Sequence, residues 1–250
     1  MTEILGVRID NIDKDQALKQ VNDFLDSTDQ HKIFTPNPEM LVDADKNEKF
    51  RYILNSSSLN ICDGMGIQLF SKEKVQRIPG VDFMLEICKT AEEREKSVYL
   101  LGGGKSDGTT GTEKELKKRF SKLDIVGSCQ GPDISSSLEV DERENSSAIT
   151  DISHASPDIL FVAFGHRKQE WWINTFLKDL PSVTIAMGVG GAFDYIGGSV
   201  KRAPKWIQKV GFEWFFRLIN QPKRIKRIFK AVFIFPYLVL KERYASKRSK

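Results

Sequence analysis

A chain of 250 residues, 40% hydrophobic and 29% charged, can bury a core as one domain or as one domain with an appendage, and is not a disordered polypeptide. Its net charge of +4 hides a division: residues 201–250 hold 15 Lys and Arg against two acids, Glu213 and Glu242, whereas the first 200 hold 23 basic against 32 acidic residues. Three scattered cysteines, Cys62, Cys88 and Cys129, form no C-x-x-C pair, and residues 1–6 carry neither a basic region nor a long apolar run; both features argue against a secreted, disulfide-bonded or zinc-ribbon protein and predict a cytoplasmic one.

Short apolar runs predict strands over residues 4–9, 32–35, 59–62, 98–102, 125–127, 159–164 and 183–187. Amphipathic stretches between them predict helices over 14–27, 39–47, 65–72, 81–93, 110–120, 139–154 and 168–177. Several strands are apolar throughout, as strands covered on both faces must be. The alternation predicts a Rossmann-like α/β domain over residues 1–200, its mainly parallel sheet flanked by helices, with residues 201–250 as a basic helical appendage.

Open α/β sheets bind ligands beyond the carboxyl ends of their strands. Five strand ends here carry polar or glycine-rich turns: Thr35-Pro36-Asn37-Pro38-Glu39, Asp63-Gly64-Met65-Gly66, Gly102-Gly103-Gly104-Lys105-Ser106, Gly165-His166-Arg167-Lys168-Gln169 and Gly188-Val189-Gly190-Gly191. Any one could be a plain turn; together they predict a pocket. The 102–106 turn is not a P-loop, because Tyr99 stands where that motif needs glycine. Strand, glycine turn and helix start still suit a phosphate, and the 188–191 turn has the same form.

Asp63 directly follows an apolar strand, so it reads either as a general base at the pocket mouth or as the N-cap of the next helix. Thr35 and Asn37 lie in a proline-bracketed turn that suits hydroxyl recognition, and Gln169 can hydrogen-bond a sugar or a base. Trp171 and Trp172 read as packing. Asp43-Ala44-Asp45 has the D-x-D spacing of a metal motif but falls within a predicted helix, where residues two apart diverge, so it reads as a solvated face. His31, His154 and His166 show no ligand spacing, and neither a metal nor a cofactor is expected.

Drawn as a helix from Lys223, the residues Lys223, Arg224, Lys226, Arg227 and Lys230 fall on one side, opposite Ile225, Ile228, Phe229, Val232, Phe233 and Phe235. The apolar run at 231–240 is about 15 Å long as helix against a bilayer core of about 30 Å. It predicts a helix that lies on an anionic membrane or docks on the protein's own core; nucleic acid would leave the apolar face unused.

These motifs resemble the WecG/TagA/CpsF family of bacterial glycosyltransferases over nearly the whole chain. The resemblance rests on the five turns, on Arg77-Ile78-Pro79-Gly80-Val81-Asp82, and above all on residues 188–227, with Gly190-Gly191-Ala192-Phe193-Asp194, Lys201-Arg202-Ala203-Pro204-Lys205-Trp206 and Glu213-Trp214-Phe215-Phe216-Arg217. It implies inverting transfer of a sugar, foremost N-acetylmannosamine, from a UDP donor to a polyprenyl-diphosphate-linked GlcNAc at the inner membrane face. Asp63 matches the family's base, and Thr35, Asn37 and Gln169 its polar pocket groups. Arg77, Asp82, Gly103, Gly190, Gly191 and Asp194 join them as substrate-binding candidates, while Arg217, Arg224 and Arg227 match arginines that meet the acceptor diphosphate. His166-Arg167 departs from the small residue and proline of many members. Glucosyl or uronosyl transfer, a non-catalytic nucleotide-sugar or lipid-diphosphate binding module, and homo-oligomerisation stay open.

Overall fold

The computed structural model describes residues 1–71, 73, 75–103, 108–209 and 213–248. Strands β1 (Thr2–Ile4) and β2 (Val7–Ile9) form an antiparallel hairpin where one strand over 4–9 is expected. The chain reverses because Leu5 and Gly6 both take positive φ, 52° and 73°, the backbone of a tight two-residue hairpin turn. Helix α1 (Lys14–Leu25) follows, opened by a capping box between Asp13 and Gln16.

The body is a six-stranded, wholly parallel sheet of β3 (His31–Phe34), β4 (Leu59–Asn60), β5 (Val98–Gly102), β6 (Ile125–Cys129), β7 (Ile159–Ala163) and β8 (Ile185–Gly188), in spatial order β4-β3-β8-β7-β5-β6. Between them run α2 (Pro38–Lys46), α3 (Glu48–Asn55), α4 (Met65–Phe70), α5 (Gly80–Glu93), α6 (Gly108–Arg119), α7 (Glu142–Ala155) and α8 (Lys168–Phe176). Every residue of β5, β7 and β8 is buried, as two-sided cover requires. Alternate residues serve opposite cores: Leu101, Leu160, Val162 and Ala186 pack on one face, Leu100, Ile159, Phe161 and Met187 on the other. Helix α3 was not expected from the sequence. Asn47 separates it from α2 by leaving helical geometry, and its side chain caps the new helix through Phe50 N.

After β8 come α9 (Ala192–Ile196), α10 (Lys205–Lys209) and α11 (Glu213–Asn220), then a long final helix. That helix begins as α12 (Ile225–Phe229), widens into a π turn over Lys230–Ile234 and continues as α13 (Phe235–Arg248). Phe235 and Val239 are buried against the body, with Phe235 edge-on to Phe70 of α4. Phe229, Phe233, Tyr237, Leu240 and Tyr244 of the same helix are 54–64% exposed. Among the described residues no helix is long and apolar enough to cross a membrane.

Candidate active site

The carboxyl ends of β3, β4, β5, β7 and β8 open on one cleft of about 1040 Å³, closed on its far side by α11 and the final helix. All five strand-end turns reach it. Two of them are locked together by close approach: a Cβ on Gly64 would lie 2.6 Å from Pro38, and one on Gly66 would lie 2.8 Å from it, so the Asp-Gly-Met-Gly turn fits the Thr-Pro-Asn-Pro turn only with glycine at both places. Asp63 N donates to Pro36 O across the same seam (3.0 Å). Asn37 spends its Oδ1 capping α2 through Met40 N (3.1 Å).

Asp63 does not cap α4; that role falls to Gly64, with no side-chain bond. Its carboxyl instead stands on the cleft floor beside Thr35 and the start of α5. A Cβ on Gly80 would sit 3.3 Å from the Thr35 hydroxyl oxygen and 3.4 Å from Asp63 Oδ2, which fixes the three groups as neighbours. Burial raises the Asp63 carboxyl to about 7; Arg77 pulls it down, Glu213 pushes it up, and the Gly80 N–H and Arg202 pull it down again. The burial cost outweighs the two guanidinium groups. A carboxyl that exchanges its proton near neutrality, open only towards a cleft, is equipped to act as a general base.

Around the rim, Gln169 accepts from Gly190 N (2.8 Å) and Gly165 N (3.2 Å) through Oε1, so its buried amide ties the turns after β7 and β8 together. Gly190 has φ of 55° and faces the cleft with Gly191 and Asp194. Gly103 lies there too; residues 104–107 of the expected phosphate turn are outside the described residues. Trp172 is fully buried and donates to Asn145 Oδ1 (2.7 Å), so it packs, as expected.

Asp82 lies outside the cleft lining and receives Arg202, with Nη2 to Oδ2 at 2.9 Å. Arg202 also lies 3.6 Å from Glu213, and Glu213 binds Arg77 at 3.0 Å. Neither Arg202 nor Glu213 drew a role from the sequence, although Glu213 stands out as one of two acids in the basic segment. Arg224 and Arg227 both reach the cleft. The side chain of Arg217 is outside the described residues, though its backbone belongs to α11.

Arg227 and Lys230 of the final helix turn inward, whereas Lys226, Phe229 and Phe233 are left in solvent. Arg227 Nε lies 2.9 and 2.8 Å from the two carboxylate oxygens of Glu39, and Lys230 Nζ lies 2.8 Å from Asp43 Oδ1. Asp43 Oδ2 meets His166 Nε2 at 2.7 Å. Asp43 is therefore not a solvated residue, although Asp45 is exposed. Burial pushes the Asp43 carboxyl up, but the bonds from His166 and Lys230 outweigh it and hold it at about 2. Glu39, Asp43 and His166 bring three ligand atoms within 4.8 Å of one another, a spacing that a divalent cation could bridge. Here the two carboxylates already meet Arg227 and Lys230. The spatial cluster is invisible in the chain, since His166 lies 123 residues from Asp43.

Comparison with known proteins agrees with these motifs. The profile described as the Glycosyl transferase WecG/TagA/CpsF family matches residues 2–249. A protein of Staphylococcus aureus (strain MW2), named N-acetylglucosaminyldiphosphoundecaprenol N-acetyl-beta-D-mannosaminyltransferase, is 31% identical over 254 residues, covering 99% of this chain and 95% of its own length. One of the same name from Bacillus subtilis (strain 168) is 32% identical over 200 residues, covering 78% of this chain and 74% of its own.

Proposed function

The chain belongs to the WecG/TagA/CpsF family of glycosyl transferases, and from that premise we propose that it moves N-acetylmannosamine from a UDP donor to GlcNAc carried on a polyprenyl diphosphate, inverting the anomeric carbon. The observation that carries the chemistry is Asp63, enclosed on the cleft floor with a carboxyl poised at about 7. Asp63 takes the proton of the acceptor hydroxyl as that oxygen attacks the sugar C1 and the C1–O bond to UDP breaks. Thr35 and Asn37 orient sugar hydroxyls. The departing diphosphate gains negative charge, which the Gly191 N–H of the turn after β8 stabilises together with arginines at the rim; the N–H groups of Gly103 and Gly190 are already given to Ala163 O and Gln169 Oε1.

Residues 1–200 form the catalytic part and 201–250 an arm that brings the lipid-linked acceptor to it. The exposed aromatic side of the final helix rests in the interface of an anionic membrane, on its inner face, and Arg224 and Arg227 meet the acceptor diphosphate. Asp63→Asn tests the base: turnover falls by about 10²- to 10⁴-fold with donor binding kept. In the native enzyme the rate rises as pH passes upward through about 7, because only the deprotonated carboxylate accepts the proton. Undiminished turnover in Asp63→Asn removes Asp63 from that role.

A further inference from the structure

We infer that Glu213, at the start of α11, is a positioning residue that engages Arg77 and Arg202 and so prevents them from neutralising Asp63. The inference rests on Asp63 being the base and adds a residue of the arm to the machinery of the body.

The geometry is a chain of alternating charges that begins at the base. Arg77 precedes α5 and lines the cleft with Asp63. Its guanidinium is held from the side of the arm, by Glu213 Oε2 at 3.0 Å from Nη2 and by the carbonyl of Gln208 at 3.3 Å from Nη1. Arg202, which also lines the cleft, is engaged in the same manner, with Asp82 on its Nη atoms and Glu213 Oε1 at 3.6 Å from Nε. Side chains of Arg77, Glu213 and Arg202 are only 17–22% exposed, so water screens these contacts weakly.

Asp63 is thus faced by two cations, Arg77 and Arg202, by one anion, Glu213, and by the Gly80 N–H; its neighbour Cys62 is kept neutral, burial pushing that thiol up to about 12. An opposite charge within about 4–6 Å lowers a carboxylate by about 1–3 units, and a weaker base is a slower one. Glu213 supplies the negative charge that offsets both arginines. Because Glu213 is carried by the arm, the base reaches full proton affinity only with the arm seated.

The test is the pH profile of transfer by the full chain, native against Glu213→Gln, with a ¹³C-carboxyl NMR titration of Asp63 in both, assigned through Asp63→Asn. In Glu213→Gln the acid limb of kcat and the Asp63 titration both move to lower pH by about one unit, with a lower plateau. Glu213→Asp restores the native limb. Arg77→Gln moves the limb the opposite way, and it carries the test if Glu213→Gln fails to fold. A plain strut gives a slower enzyme at every pH with limb and titration unmoved, and that result overturns the inference. If Asp63→Asn keeps full turnover, the base reading fails instead, while the NMR titration still reports whether Glu213 sets Asp63.

Discussion

The sheet body and the C-terminal arm dispose of apolar residues in opposite ways. In the body, Leu101, Val162 and Phe161 vanish between layers. In the arm, one helix face buries Phe235 and Val239 while Phe229, Phe233 and Tyr237 stand in solvent, and Arg227 and Lys230 point inward at Glu39 and Asp43. An amphipathic helix seated on its own protein normally hides its apolar side. This one hides part of it and uses cations to hold the rest in place, which leaves an aromatic strip for another apolar phase. On the function proposed, the difference separates two tasks: the body supplies the pocket floor, and the arm closes its far side and presents the aromatic strip.

Removing the strip breaks the comparison most severely. The triple change Phe229→Ser, Phe233→Ser and Tyr237→Ser takes out side chains that are 54–63% exposed, so the fold stays intact. Each aromatic contributes about 1 kcal/mol on partial burial in a membrane interface, so cosedimentation with anionic vesicles weakens by roughly 10²-fold. Unchanged vesicle binding makes the strip an ordinary surface.

A smaller effect is expected at the joint between the regions. Arg227→Gln loses one charge-assisted contact to the acceptor diphosphate and raises the acceptor KM about tenfold, with the donor KM unmoved. Stability falls by about 1–3 kcal/mol, since the Glu39 carboxylate, only 10% exposed, loses its guanidinium partner. A rise in the donor KM instead places Arg227 on the wrong substrate. The smallest expected effect is none: EDTA leaves the rate unchanged because Arg227 and Lys230 already balance Glu39 and Asp43. Loss of activity in EDTA points to the Glu39, Asp43 and His166 cluster as a metal site.

The same contrast explains what the sequence reveals. The parallel sheet is legible because β5, β7 and β8 are unbroken apolar runs bounded by glycine or polar turns. Asp63 is legible because it ends the run Leu59-Asn60-Ile61-Cys62 that β4 opens, and position after such a run is a local property. The first hairpin is hidden because a single Leu5-Gly6 step reverses it, and α3 because Asn47 ends one helix and caps the next without any loop. Contacts of the arm are not local at all. Arg227 meets Glu39 across 188 residues, and Glu213 meets Arg77 across 136. Helical periodicity puts basic and apolar residues on opposite sides of the final helix, but the structure divides both sides: Arg227 and Lys230 turn inward with Val232 and Phe235, while Lys226 lies outside with Phe229 and Phe233. Acids on α2 decide that division, by drawing Arg227 and Lys230 inward.

The most direct measurement is product analysis after incubating the full chain with UDP-N-acetylmannosamine and a short-chain prenyl-diphosphate-GlcNAc, beside a panel of other UDP-sugars. The prediction is a lipid-linked disaccharide joined through a β-mannosaminyl bond, formed in preference from UDP-N-acetylmannosamine. A glucosyl or uronosyl product moves the chain to another donor, and no transfer from any UDP-sugar, or a retained α linkage, contradicts the inverting transferase described above.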